Sequence, residues 1–175
     1  MNEPNILPAT EQDIPTLAEL VNSAYRGDSS RKGWTTEADL LGGIRTDEES
    51  LRTMLQNPTA TILKYEEDDQ LLGCVYLQKK GDELYLGMLT VSPNVQAKGI
   101  GKQLMIAAEK LAHDWQCRAM KMTVISQRHE LIAFYERRGF VATGETEPFP
   151  MDDPRFGLPK IPLSFIVMKK PLAIA

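Results

Sequence analysis

The stretch Met88-Leu-Thr-Val-Ser-Pro-Asn-Val-Gln-Ala-Lys-Gly-Ile-Gly-Lys-Gln-Leu-Met105 decides the fold of this chain. Leu89 and Val91 end a β-rich run, and Ser92-Pro93-Asn94 follow it with residues typical of turns. From Lys98 onward, apolar residues recur at helical spacing. They are Ile100, Leu104, Ala107, Ala108 and Leu111. The stretch therefore predicts a buried strand that passes through a tight turn into a helix.

The predicted helix begins at two glycines, Gly99 and Gly101, so no bulky side chain crowds its first turn. The N–H groups of a helix N-terminus lack partners and carry the positive end of the helix dipole, which makes them a site for phosphate groups. A Walker loop is excluded because Gln96 and Gln103 replace its glycine and its Ser or Thr. A dinucleotide fingerprint is excluded by Leu104. The alternative is an ordinary strand-to-helix turn whose glycines only permit close packing.

The pattern Gln96-x-x-Gly99-x-Gly101 resembles the pyrophosphate-binding motif of the GCN5-related N-acetyltransferase (GNAT) superfamily. A second stretch, Phe134-Tyr135-Glu-Arg-Arg-Gly139-Phe140, resembles the carboxy-terminal motif of that family and follows in the right order. The resemblance implies acetyl-coenzyme A as the acyl donor and no metal. It assigns the diphosphate to Gln96, Ala97, Lys98, Gly99, Ile100, Gly101 and Lys102. It assigns the pantetheine arm to the backbone of Leu89, Thr90 and Val91, on a strand that splays from its parallel neighbour.

Tyr135 is the residue that the resemblance makes the general acid, which protonates the departing thiolate if it lies within reach. The alternative is a half-buried aromatic side chain whose hydroxyl bonds the backbone. Arg128 stands where many family members carry an asparagine that holds coenzyme A. An arginine there either reaches a phosphate or is a solvated surface cation. Tyr85 stands where some relatives carry a glutamate, so the general base stays open among Glu83, Glu37 and a water chain.

The resemblance places the acceptor cleft between a loop over 25–37 and a proline-rich segment over 148–162. The expected acceptor-binding residues are Tyr25, Trp34, Glu37, Tyr85 and Phe149, with Phe156 as a further apolar wall and Asp152 and Asp153 as attraction for a cationic amine. The alternative is that Trp34 and Phe149 cover the core and that the acidic residues are solvated.

Composition predicts a single soluble domain over 1–175, since the 175 residues are 42% hydrophobic and 25% charged. A net charge of −4 without a block of Lys and Arg argues against a nucleic-acid surface. Cys74 and Cys117 have no CxxC spacing and are expected to be buried, reduced thiols. The start of the chain lacks a leader pattern and no apolar run could span a membrane, so a cytoplasmic protein is expected. The sequence is compatible with a homodimer.

The order of predicted elements is β-α-α-α-β-β-β-α-β-α-β-β, which indicates an α/β domain. A helix is predicted over 35–44 and a loop over 148–162. Because a helix connects the strands over 83–91 and 119–125, these two strands are expected to run parallel. The GNAT resemblance implies a three-layer fold with a mixed, largely antiparallel sheet of about seven strands flanked by helices.

The function implied is transfer of an acetyl group from acetyl-coenzyme A to the primary amine of a small molecule or amino-acid-like acceptor, by direct attack on the thioester. Two alternatives stay open at this point. One is a sensor module that binds acyl-coenzyme A with little turnover, and the other is an O-acyltransferase or a transferase of longer acyl chains.

Overall fold

The computed structural model of the protein describes residues 5–25, 41–42, 45–95, 99–148, 158–159 and 163–172. Within these residues, the helices are α1 (Ile14–Tyr25), α2 (Glu48–Gln56), α3 (Ile100–Asp114) and α4 (His129–Glu136), and a short 3-10 helix (Glu11–Asp13) precedes α1. The strands are β1 (Asn5–Pro8), β2 (Leu41–Gly42), β3 (Ala60–Glu67), β4 (Gln70–Lys80), β5 (Glu83–Val91), β6 (Ala119–Ile125), β7 (Val141–Pro148), β8 (Leu158–Pro159) and β9 (Ser164–Pro171).

Seven of the strands form one sheet in the order β1-β3-β4-β5-β6-β9-β7. Neighbouring strands are antiparallel, except that β5 and β6 are parallel. Helix α3 connects this parallel pair, because two parallel strands need a crossover rather than a tight turn. The predicted mixed, largely antiparallel sheet flanked by helices is confirmed.

The sheet separates two hydrophobic cores. Successive residues of a strand point to opposite faces, so Ile62 of β3 joins the core beneath α1 and α2, whereas Leu63 joins the core beneath α3 and α4. Helix α1 buries the face that its apolar spacing predicts, including Leu17 and Val21. Helix α2 is capped by Asp47, whose side chain accepts a 2.7 Å hydrogen bond from the Ser50 N–H.

Both cysteines are buried and free, as the sequence predicts. Burial raises the pKa of the Cys74 thiol to about 12, so this thiol stays protonated and unreactive. Among the described residues, no helix combines the length and the apolar character needed to cross a membrane.

Strand β5 leaves its parallel neighbour partway along its length. In the described structure it pairs with β6 through Glu83, Leu84 and Tyr85, and no pairing with β6 follows from Leu86 onward. On its other side β5 stays paired with β4, but Met88 and Leu89 there oppose the single residue Val75. Met88 takes a positive φ of 55° at this bulge. Because a bulge bends and twists its strand, residues 86–91 present an open edge on the side of β6.

Two predictions fail at a small second sheet. The predicted helix over 35–44 is wrong at Leu41 and Gly42, which pair antiparallel with Pro159 and Leu158. The predicted loop over 148–162 is wrong at Leu158 and Pro159, which form β8, and at Pro148, which is the last residue of β7. Gly42-Gly43 lowers the helix propensity of the first segment, and an edge strand accepts a proline. The other residues of the predicted helix, and most residues of the predicted loop, lie outside the described residues.

Gly73 of β4 fixes how closely α3 approaches the sheet. A Cβ atom at Gly73 would lie 2.9 Å from Ile100 Cγ2 and 2.9 Å from the Thr90 carbonyl oxygen. Ile100 is the first residue of α3, and Thr90 belongs to the neighbouring strand β5. The absence of a side chain at this position therefore brings the N-terminus of α3 against the bulged part of β5.

We expect Gly73→Ala to destabilise the protein by about 1–3 kcal/mol, because the added methyl group overpacks this contact. The measurement is the urea midpoint of unfolding. Gly81→Ala is the matched control, since Gly81 has a φ of +62° and no described atom within 4 Å of its Cβ position. The free energy of unfolding of that control variant should fall by only about 1 kcal/mol, because of backbone strain. An unchanged midpoint for Gly73→Ala would contradict the close approach.

Candidate functional site

Helix α3 begins at Gly99, which is its N-cap residue. Gly99 takes the left-handed conformation with φ 70° and ψ 22°, which residues with a side chain adopt only with strain. Its carbonyl oxygen accepts the first helical hydrogen bond, from the Gln103 N–H at 3.0 Å. The N–H groups of the residues between them have no partner within the helix. The preceding residues Gln96, Ala97 and Lys98 lie outside the described residues.

A cavity of about 490 Å³ lies over this helix N-terminus, and we call it the glycine cavity. Its lining comprises Val91, Val95, Gly99, Ile100, Gly101, Lys102, Glu130, Ala133, Phe134, Arg137 and Arg138. The lining brings three basic side chains and one carboxylate to the positive end of the α3 dipole. The electrostatics of the glycine cavity therefore favour an anion.

Arg138 is held at the wall of the glycine cavity by Phe134. Its Nη1 donates a 2.9 Å hydrogen bond to the Phe134 carbonyl oxygen, and its guanidinium carbon lies 3.7 Å from the centroid of the Phe134 ring. Its Nε is buried and has no partner among the described atoms. Burial and the nearby Arg137 lower the pKa of Arg138. An anion in the glycine cavity would accept a hydrogen bond from this Nε and would stabilise the charged form of Arg138.

A second cavity of about 400 Å³ lies along the open edge of β5, and we call it the tyrosine cavity. Its lining comprises Tyr25, Arg45, Met54, Tyr76, Tyr85, Leu86, Gly87, Met88, Leu89, Met122, Thr123, Val124, Ile125, Arg128, Leu131, Tyr135, Glu147 and Phe165. The structure thus brings Tyr25, Tyr85 and Tyr135 into one cavity, although α1, β5 and α4 are far apart in the sequence.

Tyr135 is almost completely buried, with 4% of its surface exposed. Its ring makes edge-to-face contacts with Phe134 and Phe140, at centroid distances of 5.5 and 5.8 Å. Burial raises the pKa of the Tyr135 hydroxyl, the nearby Tyr25 raises it further, and the positive charge of Arg128 lowers it. The effect of burial on the pKa is the largest of the three, so the hydroxyl stays protonated at neutral pH and is a hydrogen-bond donor.

Two carbonyl oxygens of β5 near the opening accept hydrogen bonds from protein hydroxyl groups. The Tyr25 hydroxyl donates a hydrogen bond to the Leu89 carbonyl oxygen, and Thr90 Oγ1 donates one of 2.9 Å to the Met88 carbonyl oxygen. The side chains of Leu89, Thr90 and Val91 are themselves buried. Tyr25 therefore fixes the position of the β5 backbone at the bulge.

Tyr85 lies flat along its own strand. A Cβ atom on Gly87 would lie 3.1 Å from the Tyr85 ring, so the glycine makes room for the ring inside the tyrosine cavity. The Tyr76 ring packs edge-on against Tyr85 at a centroid distance of 6.4 Å. The position where some relatives carry a glutamate is therefore an aromatic wall in this chain.

Arg128 lies in the tyrosine cavity and is not among the residues that line the glycine cavity. It is the N-cap residue of α4, it is 8% exposed, and its guanidinium carbon lies 5.6 Å from the centroid of the Tyr25 ring. The interpretation of Arg128 as a solvated surface cation is thus wrong. Its assignment to a phosphate group stays a prediction, and the basic residues that line the glycine cavity are Lys102, Arg137 and Arg138.

Of the carboxylates weighed as a general base, Glu83 does not line the tyrosine cavity, and Lys169 Nζ contacts its carboxylate at 2.7 Å. Glu147 of β7 does line it, opposite Phe165 of β9. Sequence reasoning missed Glu147 and Arg45, since neither belongs to a motif. The predicted residues Trp34, Glu37, Phe149, Asp152, Asp153 and Phe156 lie outside the described residues.

Helix α4 separates the two cavities and contributes to both. Glu130, Phe134 and Arg137 recur at helical spacing on the face toward the glycine cavity, whereas Leu131 and Tyr135 face the tyrosine cavity. That spacing is the signal that would have found Arg137 and Arg138 from the sequence. Over the residues described, no three His, Cys, Asp or Glu side chains form a cluster suited to a metal ion.

Comparison with known proteins identifies the fold and the family. The chain is similar to the Escherichia coli ribosomal-protein-S18-alanine N-acetyltransferase, with TM-score 0.73 and 16% identity over 99% of this chain and 96% of that one. It is similar to the Thermoplasma acidophilum PaiA N-acetyltransferase in complex with coenzyme A, with TM-score 0.69 and 20% identity over 98% and 100%. It is also similar to an Elizabethkingia anophelis GNAT family acetyltransferase with acetyl-CoA bound, with TM-score 0.67 and 16% identity over 98% and 100%.

The family itself is identified by a family model rather than by these structures. The model described as "Acetyltransferase (GNAT) domain" matches residues 38–150, which is more than half of the chain. The matched region contains β5, the N-terminus of α3 and all of α4. The chain therefore belongs to the GNAT family of acetyltransferases.

Proposed function

We propose that the protein is an acetyl-coenzyme A-dependent N-acetyltransferase that acts on the primary amine of a small molecule or amino-acid-like acceptor. We propose also that residues 1–175 form one catalytic domain. The observation that carries the proposal is the pair of cavities joined by β5 and α4. Acetyl-coenzyme A has its parts in a matching order, with a diphosphate at one end and a thioester at the other.

The glycine cavity fits the diphosphate end. Gly99 leaves the first N–H groups of α3 uncovered, and Lys102, Arg137 and Arg138 bring positive charge to them. A phosphate oxygen near Arg138 would accept a hydrogen bond from its buried Nε, and such charge-assisted bonds are strong. We keep Gln96, Ala97, Lys98, Ile100 and Gly101 as further main-chain contacts in this proposal.

The open edge of β5 fits the pantetheine arm. Tyr25 and Thr90 hold the carbonyl oxygens of Leu89 and Met88. The other main-chain groups on the open side of residues 86–91 are then the partners for the amides of the arm. A ligand bound in this way adds to the edge of β5 where β6 has departed.

The reaction begins when the acceptor nitrogen attacks the thioester carbonyl carbon. The C–N bond forms, the C–S bond breaks, the nitrogen loses a proton and the sulfur gains one. Tyr135 is the proposed donor to the sulfur. Its raised pKa makes it a weaker acid than a thiol, whose ordinary pKa is about 8.5, so it acts first by hydrogen bonding to the developing thiolate.

We expect Gly99→Val to weaken the binding of acetyl-coenzyme A by about tenfold or more, because the side chain covers the first N–H groups of α3. The measurement is titration calorimetry. Gly144→Val is the matched control, since Gly144 also has a positive φ and an open Cβ position but does not line the glycine cavity. Equal affinity of the two variants would contradict the proposed phosphate site.

We expect Tyr135→Phe to lower kcat by about 10–100-fold, because the leaving sulfur loses its donor, while the affinity for acetyl-coenzyme A stays unchanged. Thiol release under saturating substrates measures this effect. Tyr65→Phe, which removes another buried hydroxyl outside both cavities, should keep the wild-type kcat. Full activity of Tyr135→Phe would remove Tyr135 from the mechanism.

The raised pKa of Tyr135 also predicts a pH profile. The protonated phenol is the active form, and it is lost only as the pH rises through its pKa, which lies above the ordinary value of about 10. The rate of acetylation should therefore show no decrease between about pH 8 and pH 10. A descending limb in that interval that disappears in Tyr135→Phe would contradict this assignment.

A further inference from the structure

We propose that the acceptor carries a carboxylate beside its amine, and that Arg45 and Arg128 bind this carboxylate in the tyrosine cavity. This inference rests on the proposed acetyltransferase function and specifies its substrate class. It stands on the charges of the cavity lining, on the positions of the two arginines, and on the size of the cavity.

The described lining of the tyrosine cavity contains two cations and one anion. The cations are Arg45 and Arg128, and the anion is Glu147. The remaining lining is aromatic, aliphatic or main chain, apart from the Thr123 hydroxyl. A third cation, Lys80, lies outside the lining with its Nζ 4.6 Å from the centroid of the Tyr85 ring. The two guanidinium groups bring planar sets of N–H donors into a largely apolar space, and a carboxylate is the acceptor that matches such donors.

The two guanidinium groups both lie near the Tyr25 ring. Their central carbons lie 5.4 Å (Arg45) and 5.6 Å (Arg128) from the centroid of Tyr25. An arginine that stacks on an aromatic ring still directs its N–H groups outward in the plane of the guanidinium, where they match the two oxygens of a carboxylate. Tyr25 also donates a hydrogen bond to Leu89 at the β5 opening, so this ring connects the arginines to the proposed thioester position.

Both arginines are positioned by the main chain. Asn22 of α1 accepts hydrogen bonds from the N–H groups of Arg45 and Thr46, at 2.7 and 3.0 Å, and donates one of 2.9 Å to the Thr46 carbonyl oxygen. Arg128 is fixed at the start of α4, where its carbonyl oxygen accepts a 3.0 Å hydrogen bond from the Ile132 N–H. A site whose backbone is already ordered loses less entropy when it binds a ligand.

The size of the cavity and the carboxylate of Glu147 restrict the class of ligand further. In the proposed function the cavity of about 400 Å³ also holds the thioester end of the donor, so the space that is left suits a compact acceptor rather than a long polymer segment. Glu147 supplies a negative charge that attracts the ammonium form of the acceptor. A cavity with arginines and a separate carboxylate is complementary to a zwitterion, and an amino acid is the simplest amine of that kind.

The test compares acceptors that differ in the carboxylate alone, with acetyl-coenzyme A as donor and thiol release as the signal. The pairs are L-methionine with L-methioninamide and L-tyrosine with tyramine. We expect kcat/KM to be about tenfold or more higher for each acid. Arg128→Gln and Arg45→Gln should each lower kcat/KM for the acids by about tenfold, mainly through KM, and should leave kcat/KM for the partners that lack the carboxylate within about twofold. Arg128→Lys should recover part of the loss, because the charge remains without the planar fork.

The control variant is Arg118→Gln. Arg118 is exposed, pairs with Asp82 at 3.2 Å and does not line either cavity, so both members of each pair should react as with the wild type. In parallel, titration calorimetry measures the dissociation constants of N-acetyl-L-methionine and of its amide in the presence of coenzyme A. We expect the acid to bind more tightly even if turnover is slow.

Turnover of both members of each pair at equal kcat/KM would overturn the carboxylate inference and leave the proposed acetyltransferase function standing. If no acceptor reacts, the calorimetric arm decides, and equal or undetectable binding of the acid and the amide overturns the inference. Failure of the acetyltransferase proposal has a different signature, namely loss of acetyl-coenzyme A binding in the wild-type protein.

Discussion

The separation of β5 from β6 after Tyr85 is the constraint on which the rest of the structure depends. A parallel pair that stayed hydrogen-bonded along its whole length would leave no room between the strands for a ligand. The bulge at Met88 bends β5 away, while the bonds from β5 to β4 keep the strand in the sheet on its other side. The hydroxyl groups of Tyr25 and Thr90 then satisfy two of the carbonyl oxygens at the bulge. These two carbonyl oxygens therefore have partners within the protein.

Charge is distributed unevenly over the molecule in a way that agrees with this geometry. The chain as a whole carries a net charge of −4, yet the described linings of both cavities have more basic than acidic side chains. Helix α4 divides the basic residues between the cavities, with Arg137 and Arg138 on one side and Arg128 on the other. Two separate positive sites fit two separate anionic groups, which we assign to the diphosphate of the donor and the carboxylate of the acceptor.

The sequence was sufficient for the architecture but only partly for the site. The apolar pattern of the sequence located the strands β5 and β6 and helix α3, because each of them buries a regular face. Other features of the structure depend on contacts between segments that are distant in the sequence. The pairing of Leu41 with Pro159 overrode the helical pattern of its segment, and Gly73 was not recognised as the contact that fixes α3. Arg45 and Glu147 belong to no motif, and only the folded chain places them beside Tyr135.

The most direct test of the central claim is the response of backbone amides to coenzyme A, followed by NMR on protein labelled with ¹⁵N. We expect the titration to shift the amide signals of Ile100 and Gly101 at the start of α3 together with those of residues 89–91 of β5. Signals from β1, at the far edge of the sheet, should not move. Saturation with coenzyme A that leaves the amides of α3 and β5 unchanged would contradict the account.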